Sequence, residues 1–118
     1  MPATLIWGNG FRIEEATLPS GKVYREVTGI DGGEEFLSWS SVEEMESLAE
    51  QYGVDRQTWP VYRDCEDESK VPLKEAQERS AALAIALEGM DPRVVQENHW
   101  LSFIWRLLRD GNSFFIMV

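Results

Sequence analysis

Hydrophobic and polar residues along this chain change period near residue 40. Upstream, short runs carry the marks of strands. Residues 4–7 (TLIW) are apolar, residues 11–14 (FRIE) alternate apolar and polar, residues 23–28 (VYREVT) are rich in β-branched and aromatic side chains, and residues 35–39 (EFLSW) form a fourth run. Alternation with period two sends successive side chains to opposite faces of a sheet, and β-branched residues fit a pleated surface. Turn chemistry separates the runs. Gly8-Asn9-Gly10 contains an Asn-Gly pair, whose tolerance of positive φ signals a hairpin. Leu18-Pro19-Ser20-Gly21 is a second turn, and residues 29–33 (GIDGG) are a glycine-rich connection. The pattern predicts a β-meander.

Downstream, apolar positions recur at helical spacing. Val42, Met45, Leu48, Ala49 and Tyr52 make one stripe, with Glu43, Glu46 and Glu50 on the other side. Ser40 or Ser41 caps this helix, Glu43 or Glu44 completes a capping box, and Gly53 stops it. Residues 54–71 read as irregular, with Trp59 held out of helix by Pro60 and a short strand at Val61 and Tyr62. Pro72 opens a second helix that runs to about Glu88, with Leu73, Ala76, Ser80, Leu83, Ala84 and Leu87 on one face. Asp91-Pro92 opens a third helical region to about Asp110, with a second start signal at Asn98. Its residues 100–108 are apolar nearly all round, which suits a helix packed between other elements. The closing run, residues 113–118 (SFFIMV), reads as a buried strand inserted in the sheet. The fold class is α+β: a single domain with one antiparallel, meander-type sheet of about five strands and about three helices on one face.

Composition alters this picture mainly through charge. The chain has 118 residues and a formal net charge of −10. Residues 31–68 hold 12 acids and only two bases, Arg56 and Arg63, while the remainder is balanced. Such a field repels nucleic acid and attracts a basic protein. No stretch approaches the length of a membrane span, no secretory leader is visible, and one cysteine forms no internal disulfide; these features point to a cytoplasmic protein.

The densest segment, YRDCEDESK, places Asp64, Cys65, Glu66, Asp67 and Glu68 in succession. Carboxylates are hard ligands for calcium or magnesium. Counted as a calcium loop from Asp64, however, the sixth position is Ser69 where glycine is needed, and Glu75 falls at the twelfth. Neighbouring carboxylates disfavour the Cys65 thiolate, so it makes a poor nucleophile. His99 opens an apolar helix and is accounted for as a capping or partly buried side chain. Gly8-Asn9-Gly10 precedes a strand and so is no dinucleotide loop. Trp7, Trp39, Trp100 and Trp105 fall in predicted elements and read as core. Trp59, in a loop beside the acidic helix, reads as partly exposed, where an aromatic can anchor a partner.

The reading that follows is a small, non-enzymatic binding protein that needs no cofactor and docks a basic partner protein. Its surface would comprise Glu43, Glu46 and Glu50 from the first helix, Asp64, Glu66, Asp67 and Glu68 from the loop, and Trp59 as anchor. In size and charge it resembles the acidic inhibitors that neutralise basic nuclease toxins, a likeness carried by no motif. One alternative is a metal-assisted hydrolase using residues 64–68, with His99. Another is an accessory subunit that binds through an apolar helix face.

Overall fold

A computed structural model describes residues 2–63, 65 and 67–118. The elements run β1 (Pro2–Gly8), β2 (Phe11–Thr17), β3 (Val23–Gly29), β4 (Gly33–Ser38), α1 (Trp39–Glu50), β5 (Val61–Tyr62), α2 (Leu73–Glu88), α3 (Pro92–Gln96), α4 (His99–Arg109) and β6 (Ser113–Met117). Among the described residues the fold is α+β, and no helix is long and apolar enough to cross a membrane.

The strands do not form one meander. A four-stranded sheet has the order β4-β1-β6-β5, and β2 pairs with β3 in a separate two-stranded sheet. β1 is antiparallel to both β4 and β6, and β5 joins β6 in parallel. The physical reason lies in β1 and β6. Ala3 and Leu5 are buried with the helices, Ile6 is buried on the opposite side, and a strand apolar on both faces takes the middle of a sheet. β6 does the same: Phe114 and Ile116 pack with α1, α2 and α4, while Phe115 packs with Val27, Val71 and Ala76. The polar β2 (FRIEEAT) cannot take either place beside β1. It turns away with β3 as a hairpin.

The Gly8-Asn9-Gly10 signal therefore marks a departure from the sheet rather than a tight hairpin. Gly10 has φ 143°, and the Asn9 N–H donates to the Ile30 carbonyl at 2.7 Å while the Ile30 N–H donates to that of Gly10 at 2.9 Å. Here two backbones cross so closely that a Cβ on Gly29 would lie 1.7 Å from the Trp7 carbonyl oxygen. The second turn behaves as its sequence predicts, with the Gly21 N–H bonded to Leu18 O at 2.8 Å.

Helix boundaries shift for local reasons. Ser38, rather than Ser40 or Ser41, caps α1 by accepting from the Ser41 N–H, so Trp39 becomes helical. The third helical region divides at Asn98, whose side chain accepts from the Leu101 N–H at 3.0 Å and starts α4 afresh. α2 lies against β6 where β5 stops short. There the Ser80 hydroxyl accepts from the Phe114 N–H at 3.0 Å and lies within donating reach of the Ala76 and Phe114 carbonyls. One hydroxyl thus replaces a missing strand. Replacing Ser80 with Ala leaves a buried backbone N–H without an acceptor, and the expected loss is about 1–3 kcal/mol, read from urea unfolding; an unchanged midpoint would show that the contact contributes nothing.

Candidate functional site

The acids expected to form one docking surface are not equivalent. On α1, Glu43 is exposed, but Glu46 is only 1% exposed and faces inward beside Met45. It lies 3.3 Å from the Arg63 guanidinium, which also sits 4.7 Å from the centre of the Trp39 ring. The helical stripe widened by one position: Glu46 follows Met45 and precedes Ala49 by three, so it borders the buried face. Glu50 is exposed yet paired with Arg56 at 3.0 Å, and Arg56 also donates to the Ser47 hydroxyl at 2.6 Å. Both arginines of the acidic segment are therefore bound to α1.

The loop acids hold structure. Asp67 accepts from the Ser69 N–H at 2.9 Å and hydroxyl at 2.7 Å, closing the 3-10 turn Glu68–Lys70. Those bonds favour its charged form and hold its carboxyl below the usual range. Glu68 accepts from the Val27 N–H at 3.0 Å, which ties the loop to β3. Asp64 and Glu66 lie outside the described residues.

Trp59 is 1% exposed, not a surface anchor. It meets Phe114 edge-to-face at 6.4 Å, and its carbonyl accepts from Arg79. Its indole N–H has no acceptor among the described residues, a cost that its buried ring area must offset. The four tryptophans read as core are instead half-buried at its margin. Trp7 packs edge-to-face on Phe103, and Trp105 lies under the Arg109 guanidinium.

Apart from Asp55, which is exposed and accepts from the Gln57 N–H at 2.9 Å, what remains of the segment's charge lies earlier in the chain. Asp31, Glu34, Glu35, Glu43 and Glu44 are exposed, and none makes an ion pair among the described residues. Glu34 and Glu35 sit on β4, the outer strand of the sheet, and point to opposite faces. Partial burial raises the Glu34 carboxyl above its usual range, and the negative charges of Glu68 and Glu26 add to the rise. Phe36, next along β4, is 70% exposed. Sequence reasoning passed over this group because two acids on alternating faces look like ordinary solvated strand residues. The missed signal was an aromatic, Phe36, on the same face as Glu34 and without an aromatic partner among the described residues.

Other chemistry is sparse. Cys65 is half-buried, and its thiol donates to the Asp67 carbonyl at 3.3 Å. His99 is exposed at the start of α4, with its ring edge against Trp100 at 5.2 Å. Among the described residues no three His, Cys, Asp or Glu side chains converge to hold a metal ion. A cleft of about 420 Å³ between β3 and the 3-10 turn is lined by Lys22, Tyr24, Arg25, Glu26, Glu68 and Met117, and so carries both signs of charge. Comparison with protein families, curated proteins and solved structures finds no match for this chain.

Glu46 generates a prediction with a definite sign. Burial raises its carboxyl most, and Arg63 and Arg56 pull it back only in part. A carboxyl raised in the folded state binds protons more readily there than in the unfolded chain, so stability rises as pH falls from neutral toward the ordinary carboxylate range. Asp67 and Asp91, both lowered by hydrogen bonds, act oppositely and lose their contribution at more acid pH. Glu46→Gln is expected to flatten the rise while changing stability at neutral pH by less than about 1 kcal/mol, because the half-exposed Arg63 can rehydrate. Urea midpoints measured across pH check both; a slope identical to wild type would contradict the assignment.

Proposed function

We propose that this chain is a non-catalytic binding protein that docks a basic protein partner. The observation that carries this reading is the division of the acids. The two arginines of residues 31–68 are bound to Glu46 and Glu50 of α1, whereas Glu34, Glu35, Glu43 and Glu44 are exposed and make no ion pair among the described residues. These four lie on β4 and the first two turns of the helix that follows it directly. Acids without a cation of their own are open to one brought by a partner, Glu35, Glu43 and Glu44 from the helical side of the sheet and Glu34 from the other side of the same strand. The docking surface is accordingly drawn on β4 and the start of α1, and Trp59, Glu46, Asp67 and Glu68 serve the fold beneath it.

Charge-led docking steers diffusional encounter, so association is fast at low salt and slows as salt screens the field. The test is a pull-down at low and high salt with wild type and with the fourfold variant Glu34→Gln, Glu35→Gln, Glu43→Gln, Glu44→Gln. Basic proteins are expected to be retained at low salt and released at high salt. Against any partner so recovered, the variant is expected to associate about tenfold more slowly or worse. Retention that is equal at both salts, or equal for the variant, would contradict the reading.

A further inference from the structure

We propose that the partner docks by adding an extended basic segment as a fifth strand along the open edge of β4. This inference rests on the docking reading above and specifies its geometry. β4 ends the four-stranded sheet, so the backbone groups on its outer side have no strand partner among the described residues. An edge of this kind is a template for another strand, and main-chain hydrogen bonds then supply affinity while alternating side chains supply choice.

The side chains on β4 state what they select. Glu34 lies opposite Ile6, and Phe36 opposite Thr4, so both project from the face that carries the β2–β3 hairpin; Glu35 lies opposite Leu5 and projects from the helical face. All three are exposed. A strand added alongside places one residue against each of them. Two consecutive basic residues therefore meet Glu34 and Glu35, one on each face, and an apolar residue beside them covers Phe36. Opposite charges and aromatic–aliphatic pairs across neighbouring strands both stabilise pairing. Glu34 gains most, since Glu26 and Glu68 already crowd it with negative charge.

The same residues favour a basic segment over a second copy of this chain. Two β4 edges laid antiparallel with Glu34 opposite Glu35 bring glutamates together and are repelled, and a pairing centred on Phe36, which sets Glu34 against Ser38 and Glu35 against Leu37, still gives the glutamates no cation. The other exposed strand surface, the hairpin β2–β3, selects no sign of partner, for it carries Arg12, Lys22 and Arg25 against Glu14, Glu15 and Glu26.

The probe is a short synthetic peptide containing Val-Lys-Lys-Val, which fits β4 in either direction, together with a control of the same sequence methylated on every backbone nitrogen, so that neither of its edges can donate. The control keeps every charge and loses strand pairing. Binding to the intact protein is followed by calorimetry and by amide resonances of residues 33–38. The unmodified peptide is expected to bind at low salt, to shift and protect the β4 amides, and to bind about tenfold more tightly than the control. Phe36→Ser is expected to weaken the unmodified peptide more than the control. Equal binding of the two peptides, or shifts confined to other elements, overturns strand addition while leaving charge-led docking intact. Failure of both peptides to bind overturns both.

Discussion

The fold depends on the burial of β6 on both of its faces. Phe114, Phe115 and Ile116 are all fully buried, two toward the helices and one toward the hairpin. Each such side chain contributes roughly 1.5–3 kcal/mol on leaving water, so three in succession fix the strand at the centre of the sheet. Everything beside it follows in order. β1, also apolar on both faces, takes one flank. β5, two residues long, begins the other flank, and Ser80 of α2 completes it with a hydroxyl. β4 is then left outside, with one edge paired and the other open.

The acids are distributed by the same constraint. α1 runs back over the helical face of the sheet, and its inner side carries Glu46 along with Val42, Met45 and Ala49. A buried carboxylate requires a partner, and Arg63, just beyond β5, supplies it. Arg56 pairs with Glu50 from the adjoining turn. Assembly of the core thus uses the only bases of the acidic segment on its own helix. Glu34 and Glu35 on β4 and Glu43 and Glu44 in the second turn of α1 are among the acids left without an ion pair among the described residues.

Much of the element list is legible in the sequence. The strands, the turn at residues 18–21, the insertion of the C-terminal strand and the restart at Asn98 all follow from periodicity and capping chemistry. Pairing is not legible, because it depends on which strands are apolar on both faces, and β1 shows this only when its neighbours are known. The Asn-Gly pair was a local signal overruled by a close glycine crossing between residues 8 and 29. Trp59 was misplaced because a tryptophan before proline carries no periodic pattern to mark it as core. Glu46 was misplaced because a helical wheel gives a border position no sign of the arginine waiting across it. Of the expected docking residues, Glu43 and Glu50 stay at the surface, Glu46 and Trp59 do not, and Asp67 and Glu68 are engaged in local hydrogen bonds.

The sharpest test of the account is native-state amide hydrogen exchange on the free protein, resolved by residue. A central β6 and an open β4 require the Phe115 and Ile116 amides to exchange only on global unfolding, while alternate amides of β4 exchange rapidly. Uniformly strong protection along β4, or rapid exchange in β6, would contradict it.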